Sequence, residues 1–222
     1  MNYISIFDII GPNMIGPSSS HTAGAASMAL MARNLFKKEP VKVTFTLYGS
    51  FAKTYSGHGT DKALLGGIMG FATDDIRIRD AFEIARQRGL QYEFVIDGNT
   101  HTNHPNTADM LLEAEDGTVG FVRGESVGGG KIKIVRINNI DVEFTGEYST
   151  LIVKQTDKPG VVAHITKCLS DNDVNIAFMR LFREEKGQNA YTVIESDQHI
   201  PESIEEKIME HEYVHSTKVV QV

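Results

Sequence analysis

Apolar residues recur at helical spacing over residues 23–38, where Met28, Leu30, Met31, Leu35 and Phe36 mark one face of a helix. Lys37 and Lys38 close that segment, at the end where the helix dipole favours cations. Residues 41–48 then alternate apolar and polar positions, which predicts a half-buried strand ending at Gly49-Ser50. A second helix is expected to open at Thr60 or Asp61, with Ala63, Leu64, Leu65, Ile68 and Met69 as its apolar face. Residues 78–88 read as a surface helix with Ala81, Ile84 and Ala85 inward, stopped by Gly89. Strands are predicted over 92–96, 109–115, 119–127 and 132–137, with Asp116-Gly117 as a hairpin turn. Residues 3–10 predict a short strand or helical turn before Gly11-Pro12.

The pattern changes character after Glu147-Tyr148-Ser149. A strand over 150–155 runs into the turn Asp157-Lys158-Pro159-Gly160, and a helix follows with Val161, Val162, Ile165 and Leu169 on one face. Strands over 174–183 and 190–195, a helix over 201–211 and a strand over 214–222 complete the order βαββαβ, a ferredoxin-like arrangement. The expected class is α+β: an N-terminal α/β domain over 1–147 and a ferredoxin-like domain over 148–222.

Composition narrows the function. The 222 residues are 41% hydrophobic and 23% charged, as in an ordinary globular protein. A net charge of -7 argues against nucleic acid or an anionic membrane as partner. No apolar run is long enough to span a bilayer, and the N-terminus lacks a signal-peptide pattern, so a cytoplasmic location is expected. The lone cysteine, Cys168, reads as a small core residue; by itself it can form no internal disulfide and hold no iron–sulfur cluster.

The candidate chemistry starts at Gly16-Pro17-Ser18-Ser19-Ser20-His21-Thr22-Ala23-Gly24. Hydroxyls at a helix N-terminus cap free backbone N–H groups, and such a terminus also favours anions. His21 adds a group that titrates near neutral pH. His58, flanked by Gly57 and Gly59, precedes the second helix in the same way. His101 and His104 have a metal-like spacing, but lie in a loop with no further ligand nearby; His104-Pro105-Asn106 reads instead as a turn presenting a side chain to a pocket. No metal site is expected on this chain. Gly128-Gly129-Gly130 is either a hairpin loop or bare backbone brought to a ligand. A Ser/His hydrolase is disfavoured, because no nucleophile elbow is present and adjacent Ser20 and His21 point apart on an extended segment.

Residues 149–222 resemble an ACT domain, on the first strand, the Asp157–Gly160 turn, Val161-Val162-Ala163 and Asn175-Ile176. That resemblance implies a regulatory ligand near Asp157, Gly160 and Val161, and a homodimer through paired ACT sheets. The N-terminal part is similar to the beta chain of iron–sulfur-dependent L-serine dehydratases. Four pieces carry the likeness in order: residues 16–24, Ser-Gly-His-Gly-Thr-Asp-Lys-Ala at 56–63, His-Pro-Asn at 104–106 and Ser-Val-Gly-Gly-Gly at 126–130. It implies a fold like the allosteric substrate-binding domain of phosphoglycerate dehydrogenases. It implies a [4Fe-4S] cluster carried by a cysteine-containing alpha subunit and not by this chain, acting as a Lewis acid on the serine hydroxyl. L-serine would be the substrate and a candidate effector, and the products pyruvate and ammonia. His21 and His58 would be catalytic, with the base between them left open. Ser18, Ser19, Ser20, Thr22, Thr60, Asn106, Gly128 and Gly129 would bind substrate. The alternative is a non-catalytic regulatory module that binds an amino acid.

Overall fold

A computed structural model describes residues 13–220; the segment expected over residues 3–10 lies outside the described residues. The chain divides into two compact units, Met1–Asn138 and Asn139–Val222. Among the described residues no helix is long and apolar enough to cross a membrane.

The first unit is a one-sided sheet covered by helices. Strands β1 (Pro40–Tyr48), β2 (Gln91–Asp97), β3 (Thr107–Ala114), β4 (Val119–Gly128) and β5 (Lys131–Ile137) lie in the order β2-β1-β3-β4-β5. β1 runs parallel to β2 and antiparallel to β3; β3, β4 and β5 continue antiparallel. The period-2 pattern of β1 puts Val43, Phe45 and Leu47 wholly inside, while Thr44 and Thr46 stay half-buried. Ala108, Met110 and Leu112 of β3 and Ile134 of β5 extend the buried set. Each of these side chains except Ala108 contributes roughly 1.5–3 kcal/mol by leaving water.

Helix α1 (Gly24–Phe36) packs on β4 and β5 and against α3 (Thr60–Ile68). Between them in sequence comes α2 (Gly49–Thr54), a single turn and a half that the apolar pattern does not predict, because six residues are too few to show a period. The helix expected over 78–88 divides into a 3-10 turn, Ile76–Asp80, and α4 (Ala81–Gln87). Asp75 causes the early start: its carboxylate accepts the Arg77 N–H at 2.9 Å, an N-cap one turn ahead of the apolar pattern. At the far end of β1, Tyr48 donates to Asp109 at 2.8 Å, and Arg123 grips the same carboxylate at 2.5 and 2.7 Å. This triad, with Tyr48 and Asp109 buried and Arg123 half-buried, ties β1, β3 and β4 together directly before Gly49-Ser50. Burial and the hydrogen bond to Asp109 push the Tyr48 hydroxyl up to about 12.

The second unit begins with β6 (Ile140–Phe144), whose apolar alternation Ile140, Val142, Phe144 is readable but was not part of the predicted order. Then come β7 (Ser149–Thr156), α5 (Val161–Ser170), β8 (Phe178–Arg183), β9 (Asn189–Ser196), α6 (Ser203–Met209) and β10 (Val214–Val220). The antiparallel sheet has the order β10-β7-β9-β8. Leu151, Val153, Val161, Ile165, Leu169, Ile194, Ile204 and Ile208 form its core. The strand expected from residue 174 starts at Phe178 instead. Val174 is held in that core by a bond from its N–H to the Leu169 carbonyl, so residues 174–177 are a crossing and not a strand.

Candidate active site

The hydroxyl-rich stretch winds into a π-helical turn, Ser19–Ala23, that runs straight into α1. Ser18 is therefore the N-cap, several residues ahead of the helix start that the apolar pattern predicts, and its Oγ accepts the His21 N–H at 3.1 Å. Insertions of this kind in a helix recur at functional sites. The tightened start leaves the His21 ring half-buried between two hydroxyls. Nδ1 lies 3.4 Å from Ser18 Oγ, and Nε2 lies 3.0 Å from Ser50 Oγ.

His58 meets His21 edge to face, with ring centroids 4.9 Å apart at 88°. Phe51 closes the other side of the His21 ring at 5.3 Å. Thr22 ties the two histidine segments together, its hydroxyl donating to the His58 carbonyl at 3.1 Å. Burial, and then the neighbouring His58, hold the His21 imidazole below the ordinary histidine value, so it is neutral at pH 7. The His58 ring is exposed. It borders a cavity of about 530 Å³ lined also by Gly16, Pro17, Thr22, Gly59 and Lys62.

The other two sequence pieces arrive from the sheet. Ser126 on β4 donates from its hydroxyl to the Ser20 carbonyl at 2.8 Å. Gly24 admits this approach, since a Cβ there would stand 2.0 Å from Ser126 Oγ. Asn106 exchanges bonds with Ser126: its carbonyl accepts the Ser126 N–H at 2.9 Å, and its Nδ2 donates to the Ser126 carbonyl at 3.4 Å. The His104 carbonyl accepts the hydroxyls of Thr102 and Thr107 at 2.7 and 2.6 Å, and its Nδ1 accepts the Asn106 N–H at 3.2 Å. The His-Pro-Asn segment is thus a self-braced turn that presents Asn106.

Among the described residues, two buried side-chain polar atoms have no partner, Thr60 Oγ1 and Asn106 Oδ1. The side chains of Ser19 and Ser20 are half-buried. The α3 cap is Gly59, in the left-handed region, and not Thr60 or Asp61. Asp61 accepts its neighbour's N–H, from Lys62, at 2.8 Å, while burial pushes its carboxyl up. Gly128 ends β4 at φ 103°, and Gly129 and Gly130 form the β4–β5 hairpin turn at φ 62° and 81°. In the second unit Asp157 accepts the Gly187 N–H at 3.2 Å and Arg183 Nη1 at 3.0 Å. Gly160 is the exposed left-handed cap of α5, and Val161 points into the core. Among the described residues no three His, Cys, Asp or Glu side chains stand together as a metal-holding group.

Ser50 and Phe51 lie outside the four sequence motifs, and Ser126 opens the fourth without being among the residues expected to bind substrate. Ser50 follows the C-terminal end of β1, beside its parallel partner β2, and in open α/β sheets that is where ligands gather. The Gly-Ser pair at a strand's end was the available signal.

Comparisons with known proteins give the family. The family model for "Serine dehydratase beta chain" matches residues 5–128, and that for "ACT domain" matches residues 149–212. The chain is 44% identical to a "Probable L-serine dehydratase, beta chain" of Bacillus subtilis over 92% of both chains. It is 39% identical to an "L-serine dehydratase, beta chain" of Peptoniphilus asaccharolyticus over the full length of both. It is also 26% identical to a D-3-phosphoglycerate dehydrogenase of Bacillus subtilis, over 82% of this chain and 35% of that one. With four separated motifs brought to one place and full-length relatives on both counts, the chain belongs to the serine dehydratase beta chain family and ends in an ACT domain.

Proposed function

We propose that this chain is the beta subunit of an L-serine dehydratase, supplying one wall of an active site completed by a separate alpha subunit. The observation that carries the reading is the edge-to-face pair His21–His58 at 4.9 Å, set at the starts of two helices. His58 is the group for proton transfer. Its ring is exposed and borders the cavity, whereas both nitrogens of His21 face hydroxyls. Imidazole titrates near neutral pH, as removal of the serine α-proton requires. Thr22 holds the His58 backbone, and Ser18 holds His21. The hydroxyls of Ser19 and Ser20 are then available for the substrate carboxylate at the helix start. Asn106 Oδ1 supports a ligand-facing role: its residue is half-buried, and an unsatisfied buried polar atom costs about 1–3 kcal/mol, a cost that functional sites tolerate.

The donor set of this chain does not fit an iron–sulfur cluster. Its single thiol, Cys168, is buried in the second unit. The cluster in this reading belongs to the alpha subunit. The test is anaerobic reconstitution with the cysteine-rich partner, iron and sulfide, followed by serine-dependent pyruvate formation. His58→Ala should lower turnover by a factor of about 100 or more. Undiminished turnover in that variant removes His58 from the mechanism.

The likeness to a phosphoglycerate dehydrogenase favours one second reading, a module that only binds an amino acid. Calorimetry with L-serine separates the two. Tight binding to the chain alone, abolished by Gly160→Asp and indifferent to His21→Ala, supports the regulatory reading.

A further inference from the structure

We infer that Ser50 is a positioning residue that holds His21 in its Nε2–H tautomer. This inference rests on the reading of His21 and His58 as one catalytic wall, and extends it to a residue outside the four motifs. Nothing in the apolar pattern or the motif spacing points to Ser50, yet its Oγ makes the shorter of the two side-chain contacts to the His21 ring, 3.0 Å against 3.4 Å.

Ser50 is itself held at three points. Its N–H donates to the Pro105 carbonyl at 2.7 Å, and its own carbonyl accepts the Thr54 hydroxyl at 2.9 Å. The third is steric. Gly49 sits at φ 53°, and a Cβ there would lie 2.6 Å from the Pro105 oxygen, so only glycine lets the turn close on the His-Pro-Asn segment. The braced turn of residues 104–106 therefore fixes Ser50, and Ser50 faces the imidazole.

A serine hydroxyl has one proton and two lone pairs, so Ser18 Oγ can accept the His21 N–H and still donate its own proton to Nδ1, which is the direction inferred. A neutral imidazole with an accepting Nδ1 carries its proton on Nε2, which then donates to Ser50 Oγ. With its ring wired at both ends, His21 presents a fixed edge to His58, the titratable group packed against it. A free ring would rotate about χ2, and the contact that orients His58 would be lost.

Nitrogen NMR of the His21 ring in the full chain tests this without any activity. Wild type should show a protonated Nε2 and an unprotonated Nδ1 above the titration of the ring. Ser50→Ala should give a mixture of tautomers and a lower His21 pKa, because the imidazolium loses an acceptor. Ser50→Thr should restore both. A protonated Nδ1 in wild type overturns the inference, and so does a higher pKa in Ser50→Ala, which would mean that the hydroxyl donates. In the reconstituted complex Ser50→Ala should lower kcat by about 10- to 100-fold with little change in KM. The expected tautomer together with unaltered kcat would leave the hydrogen bond standing and overturn the reading of His21 as part of the catalytic wall.

Discussion

His21 is a residue whose neutral form is favoured by folding, and that has a consequence for stability. Its folded pKa lies below the ordinary value of 6.5. Between those two pH values the unfolded chain binds more protons than the folded chain, so stability rises with pH across that window. Stability should therefore fall as the pH drops below about 6.5 and level off below the folded pKa. His21→Gln should flatten this slope in urea melts taken from pH 7.5 to 5. An equally steep slope in the variant would assign the proton to another group. The ring is partly open to solvent, so the direction of the effect is the measurement.

At the scale of elements, the site depends on how closely α1 and α3 approach. Ala26 and Ala29 face Gly67, where a Cβ would stand 2.3 Å from the Ala26 carbonyl oxygen and 2.8 Å from the Ala29 Cβ. Gly67→Ala has two opposed effects. Alanine favours a helix interior by about 1 kcal/mol. The clash is with backbone, which no rotamer change relieves, and overpacking of this kind costs about 1–3 kcal/mol. The clash should win, and the variant should unfold at lower denaturant than wild type; a higher midpoint would show that the helices can part. Since α1 continues the turn that carries His21 and α3 follows His58, loosening that contact should also reduce turnover in the reconstituted enzyme. The tie among Tyr48, Asp109 and Arg123 does comparable work beneath Gly49-Ser50, holding three strands where the sheet hands the chain to the site.

At the scale of the whole molecule, the ACT sheet offers an edge for self-association. β8 lies at the end of its sheet and exposes Phe178, Met179 and Leu181. An apolar edge strand is a template for pairing. Pairing through this edge predicts that the wild-type chain sediments as a dimer and Phe178→Asp as a monomer at the same concentration; a wild-type monomer overturns the pairing, and an unchanged dimer in the variant places the interface elsewhere. The amino-acid pattern alone determined most elements and the character of both units. Period 2 in residues 41–48, period 3.6 in residues 23–38 and the βαββαβ order are local properties, written wherever one face must be buried and the other wetted. The two histidine motifs were equally visible, because helix starts and glycine flanks are local signals. Folding alone decided that Ser50 and Phe51 would flank His21, that Ser126 would bond the Ser20 carbonyl, that Thr60 would be sealed inside, and that residues 174–177 would not join a strand. The contacts that Ser50 and Ser126 make at the site join residues 29 and 106 positions apart. No period along the chain records such distances; they exist only once the sheet order has brought the ends of β1 and β4 to the same helix.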